Sequence, residues 1–123
     1  MLKPNGLFRW SMPDYHCDVL RARCQYEGSR IVFDPGGGGR FVAGRVVDGG
    51  HVWFPTHDVV DSLLLLSPFN RQKVDWRHYW KNEMDYVVHD IDFSYGHINR
   101  VPPFDERVLD PVRPMSLVVD VRK

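Results

Sequence analysis

Val46-Val47-Asp48-Gly49-Gly50-His51-Val52-Trp53-Phe54-Pro55-Thr56-His57-Asp58-Val59-Val60-Asp61-Ser62-Leu63 is the stretch whose reading decides the fold. Two β-branched residues lead into Asp48-Gly49-Gly50, where glycine supplies the positive φ angles of a hairpin turn, and His51 to Phe54 read as the returning strand. Pro55 and Thr56 end that strand. Thr56 is suited to cap a helix, with Asp58 in its first turn facing the positive end of the dipole. Val59, Val60, Leu63, Leu64 and Leu66 then give the helix a broad apolar face. Strand, turn, strand and capped helix define an α+β element; they do not define a reaction.

Upstream, Leu20, Ala22, Cys24 and Tyr26 alternate with Arg21, Arg23 and Gln25, the period-two pattern of a half-buried strand over Asp18 to Tyr26. Arg30 to Asp34 reads as a short apolar strand. Pro35 and the glycines Gly36 to Gly39 break the pattern with a mobile loop, and Arg40 to Val47 resumes as the first arm of the hairpin. Downstream, Ser67-Pro68 reads as a cap followed by a first-turn proline, opening a second helix that runs to about Glu83. Trp76, Trp80 and Met84 recur in it at four-residue spacing, with Val74 and Tyr79 widening the apolar face. From Tyr86 the period returns to two, with Val87, His89, Ile91 and Phe93 on the core face. Pro102, Pro103, Pro111 and Pro114 make Arg100 to Pro114 an irregular surface connection. Ser116 to Arg122 closes the chain as a strand with Leu117, Val119 and Val121 on one face. The expectation is a single α+β domain of about six mostly antiparallel strands, with two short helices packed on the sheet, both between the Trp53 and Val87 strands.

Composition sets bounds on partners. The 123 residues, 43% hydrophobic and 26% charged, suit one globular domain with one core. Sixteen basic residues balance sixteen acidic ones, so no net field draws in nucleic acid or an anionic membrane, and such binding must come from a local patch. Neutrality with 13% aromatics also favours self-association or a bound partner. Cys17 and Cys24, if on one extended segment, lie roughly 23 Å apart and point to opposite faces, so free thiols in a reducing compartment are expected. Leu63 to Leu66, the longest aliphatic run, is too short to span a bilayer, and the start of the sequence has no apolar run of signal-peptide length. A cytoplasmic protein without membrane association follows as the expectation.

Trp53-Phe54-x-x-x-Asp58-Val59-x-x-x-Leu63, preceded by a basic-aliphatic strand and an Asp-Gly turn, resembles the start of the Bro-N type domain of phage antirepressors and large-DNA-virus regulators. One extra residue separates the turn from Trp53, His57 stands where that family favours lysine, and Leu64-Leu65-Leu66 replaces its usual glycine. The resemblance implies DNA binding or transcriptional control in a phage or mobile element. Independently, Ser67-Pro68 between two helical stretches resembles a helix-turn-helix layout, with Asn70, Arg71, Gln72, Lys73, Arg77 and Lys81 on the second helix. Arg71 and Lys73 could hold phosphates while Asn70 and Gln72 reach a base edge. A solvated helix face opposite the tryptophans is the plainer account of the same residues.

The alternative is a protein-binding accessory or inhibitor that occludes a larger partner. Phe8, Trp10, Phe69, Tyr95 and Phe104 fall in expected loops, where exposed aromatics suit a protein interface. A metal-dependent hydrolase or nuclease ranks third. His57-Asp58, His78, His89-Asp90, Asp92 and His97 would serve only if the fold gathered them, and no metal-ligand spacing appears. No catalytic residue, metal site or cofactor is assigned. Gly36 to Gly39 lacks the following Lys-Ser/Thr and helix start of a phosphate loop.

Overall fold

A computed structural model describes residues 3–69 and 73–122. Over the described residues the fold is α+β, with two α-helices and eight strands in two antiparallel sheets of four. The expected class stands, but the strands outnumber the expected six.

The first sheet is built on the C-terminal strand. That strand, Ser116–Arg122, pairs on one side with β1 (Leu7–Pro13) and on the other with β6 (Val74–Trp80). β7 (Tyr86–Val88) closes the far side, giving the order β1-β8-β6-β7, with the C-terminal strand as β8. Five of β8's seven residues are buried, Asp120 is half-buried and only Arg122 is exposed, because layers cover both faces of the strand. Leu117, Val119 and Val121 meet Met12 of β1 and Val60 and Leu64 of helix α2 (His57–Leu65). Val118 faces the other way, onto Ile98 and Val101. The proline-rich connection is therefore more than surface chain: Val101, Val108 and Pro114 are fully buried, and it forms the second covering layer.

The second sheet is a meander of β2 (Gln25–Glu27), β3 (Arg30–Phe33), β4 (Arg40–Val42) and β5 (Arg45–Val47). Ile31 of β3 anchors it to a core of Tyr15, Cys17, Leu20, Trp80, Val108 and Met115. Much of the rest of this sheet is exposed. Tyr15, Asp34 and Arg23 lock the junction. The Tyr15 hydroxyl donates to Asp34 at 2.5 Å, and the Arg23 guanidinium holds both carboxylate oxygens at 2.7 and 2.9 Å.

Three expected elements change. Asp18–Arg23 is helix α1, not strand. Cys17 and Leu20, three apart and fully buried, carry the helical spacing that the shorter-range alternation masked. The hairpin turns at Ala43-Gly44, both at positive φ, between β4 and β5. Asp48, Gly49 and Gly50 instead form a left-handed run whose His51 meets Gly38 in an isolated parallel bridge, so His51 to Phe54 is not a strand. The second expected helix is strand β6. A bulge at Arg77 puts Trp76 and Tyr79 on one face, a three-residue spacing that imitates a helix. Ser67 closes α2 rather than opening a new helix: its hydroxyl donates to the Leu64 carbonyl at 2.6 Å and accepts from Phe69 N at 3.2 Å.

The glycine run is packed rather than open. A Cβ on Gly37 would stand 2.7 Å from the His51 ring, and one on Gly50 would stand 2.3 Å from the Gly37 carbonyl. Gly36 to Gly39 thus interlocks with Gly49 to His51. Both cysteines are free thiols, Cys17 buried and Cys24 half-buried, and burial pushes each up to about 11.

Candidate functional site

Of the residues singled out for nucleic-acid binding, Asn70, Arg71 and Gln72 lie outside the described residues. Lys73 precedes β6 and has a partner in the fold. Arg77, at the bulge of β6, donates to Asp75 at 2.9 Å and to the Asp90 carbonyl at 3.0 Å. Lys81 sits in the exposed turn after β6, its N–H bonded to the Asp85 carbonyl. Lys73, Arg77 and Lys81 therefore do not share a helix face. The correction follows from β6 being drawn into the sheet by β8.

The histidines and carboxylates stay apart. His57 stacks on Tyr79 and meets Trp76 edge-on, each ring 4.3 Å away. His78 is buried, bound through Nε2 to the His89 carbonyl at 3.0 Å, and burial pulls it down to about 4. His89 is exposed rather than on the core face. His97 pairs with Asn99 at 3.1 Å. Among the described residues no three His, Cys, Asp or Glu side chains are grouped to hold a metal ion.

What the fold does assemble is an apolar surface along β1 and α2. β1 is an edge strand, and Phe8, Trp10 and Met12 oppose Val121, Val119 and Leu117, so they lie on the α2 side of the sheet. Phe69 stacks on Phe8 at 5.8 Å, Phe8 lies 6.1 Å from Trp10, and Trp53 stacks on Trp10 at 6.5 Å. Trp53 remains 45% exposed, and Phe8 is exposed too. α2 places Val60 and Leu64 in the core and turns His57 toward β6. Helical geometry puts Val59 and Leu63, and Leu66 just past the helix end, away from the Val60–Leu64 stripe and on the side opposite His57. These three are exposed, Leu66 at 86%. The sequence had placed all five aliphatics of this helix in one buried face; the sheet covers only half of it.

The other face of β1 carries Arg9 and Ser11. Arg9 is neutralised by Asp120 directly across the ladder, with both guanidinium contacts at 2.6 and 2.7 Å, and its third nitrogen donates to the Asp92 carbonyl. That ion pair holds Arg9 above its ordinary range through its hydrogen bonds to Asp120. Beside it a cavity of about 360 Å³ is lined by Arg9, Ser11 and the segment Tyr95 to Arg100. Arg100, held at φ 59°, donates through Nε to the Ser116 hydroxyl at 3.2 Å. It meets no carboxylate in an ion pair among the described residues. Asp105, which feels its charge, is already held two-pronged by Arg107. Nothing in the spacing of the sequence pointed to Arg100. The excess width of the α2 aliphatic arc was a readable signal for the apolar surface.

Comparison with known protein families, with curated proteins and with solved structures finds no match. No helix among the described residues is long and apolar enough to cross a membrane, which says nothing of strands.

Proposed function

We propose that this chain is a protein-binding module that works by occupying a larger partner through the surface of β1, Trp53 and the outer flank of α2, without catalysis of its own. The observation that carries the reading is the half-covered helix. Val59, Leu63 and Leu66 are left in solvent, and the half-exposed Trp53, four residues before the helix, stacks on Trp10 of the edge strand. Contiguous apolar groups with aromatic anchors are the makings of a protein interface, where a few such side chains carry most of the binding energy. Overall neutrality supports the same reading, since no long-range field favours a polyanion.

A nucleic-acid reading keeps one specific observation. In the second sheet Arg40 lies 4.1 Å over Phe33 and Arg30 lies 4.7 Å over Phe41, with Arg45 exposed nearby. Arginines interleaved with aromatics suit single-stranded nucleic acid. With the resemblance to the phage and viral regulators, this makes a DNA-binding regulatory protein the second reading.

A pull-down with tagged protein, with and without nuclease, separates the two. The first reading expects one nuclease-resistant protein partner, lost from the double variant Trp53→Ser/Leu66→Ser while that variant keeps its fold. Nuclease-sensitive nucleic acid, retained by that variant and lost steeply with salt, would overturn it.

A further inference from the structure

We infer that the partner engages this surface as an added strand: an extended segment pairs with the free edge of β1, with apolar residues at one alternate set of positions and acidic residues at the other. The inference rests on the protein-binding reading and names the chemistry of the partner.

Four features of β1 carry it. It is one of the two edges of the first sheet, and at seven residues it is much longer than the three-residue β7 at the other edge. Beyond its ladder with β8, none of its backbone groups bonds to another backbone group among the described residues. Edge strands are commonly guarded by shortness, by unpaired charge or by a central proline. β1 has no lysine, its one arginine is neutralised by Asp120, and its one proline, Pro13, stands at its end. Its edge is therefore competent to receive a strand.

The two faces beside that edge differ in chemistry, which specifies the guest. A strand sends successive side chains to opposite faces. On the α2 side the guest meets Phe8 and Trp10 of β1 with Phe69 and Trp53 stacked on them, all apolar. On the far side it meets the cavity lined by Arg9 and Ser11 of β1 and by the segment Tyr95 to Arg100. Arg100 brings a charge there that no carboxylate among the described residues pairs with, and Ser11 a hydroxyl. Carboxylates at the alternate positions supply the complementary charge. β-Strand addition draws affinity from main-chain bonds and specificity from such alternate pockets.

Selection from a display library of random nine-residue peptides on the full chain tests this directly. The expected result is enrichment of sequences in which apolar and acidic residues alternate. A synthetic peptide of the enriched sequence should lose at least tenfold in affinity when alternate backbone amides are N-methylated, which removes strand bonds and keeps every side chain. Arg100→Gln should weaken the acidic peptide about tenfold and leave a version with glutamine at those positions unchanged. Enrichment of basic sequences, of apolar residues at helical spacing, or of nothing would overturn the proposal, as would indifference to N-methylation. A stable dimer in sedimentation that the peptide fails to dissociate would also overturn it, because a second copy would then hold the edge. If strand addition fails while Trp53→Ser/Leu66→Ser still abolishes partner capture, the protein-binding reading survives alone; if that variant captures normally, both fall.

Discussion

Asp14 ties the ends of two strands together. Its carboxylate is fully buried and accepts from Trp80 N at 2.8 Å and from His16 N at 3.1 Å, so the end of β1 is pinned to the end of β6. Burial raises its proton affinity and the two N–H bonds oppose that rise. Asp14→Ala orphans an interior N–H and should cost about 1–3 kcal/mol, seen as a lower urea midpoint at unchanged slope. His78 sets an acid limit on stability. Its folded form titrates at about 4 against 6.5 for the free side chain, because burial disfavours the cation. Between those values the unfolded chain holds a proton that the folded chain does not, so stability falls as pH drops through that window, by of order 2–3 kcal/mol. Asp14 shifts in the opposite sense, so the test is a difference: urea unfolding of wild type and His78→Gln at pH 7 and pH 4.5, with the acid loss smaller in the variant. Neither residue was legible beforehand. Asp14 and His78 have no distinguishing neighbours in the sequence, and their roles come from contacts such as Asp14 with Trp80, 66 positions away.

At the scale of elements, α2 contrasts covered and uncovered apolar side chains within one helix. Leu64→Ala should cost about 2–5 kcal/mol as a core cavity, whereas Leu66→Ser should change stability by no more than about 0.5 kcal/mol as a surface substitution. Equal losses in thermal or urea unfolding would mean that the outer flank is covered. The glycine interlock gives a second test. Gly50 sits at φ 76° with the Gly37 carbonyl where a Cβ would go, so Gly50→Ala should destabilise by more than the ~1–2 kcal/mol of a left-handed alanine alone. α2 was readable because Pro55-Thr56 before it and Val60 with Leu64 inside it agree on one element. β8 was readable because Leu117, Val119 and Val121 mark one face at every second position, in a β-branched run. β6 was misread because Trp76, Trp80 and Met84 recur at four-residue spacing, yet Trp76 and Trp80 pack into different cores and Met84 lies exposed beyond the strand, and nothing local marks the bulge at Arg77. The glycines were read as freedom when they serve close approach, a distinction only the neighbouring loop reveals.

For the whole molecule, the asymmetry between the two sides of the first sheet governs what the protein can do. The long connection packs Ile98 and Val101 on Val118 of β8, while on the other face α2 sends only Val60 and Leu64 into the core and leaves Val59, Leu63 and Leu66 exposed. The second sheet packs through Ile31 and leaves β1 alone. Sequence reading reached the α+β class and the exposure of Phe8, Tyr95 and Phe104, whereas Trp10 and Phe69 are half-buried, Phe8 and Trp10 lie in β1 rather than in a loop, and the exposure of Trp53 was missed. It could not reach which edge stays open, since strand order depends on pairings between distant segments such as β1 and β8. The most direct measurement is hydrogen exchange of the chain alone and bound to its captured partner. New protection is expected at the amides of Leu7 to Met12, the residues of β1 that carry an N–H, with side-chain shielding of Trp53 seen as a changed fluorescence. New protection confined to Arg30 to Val47, with β1 unchanged, would contradict it.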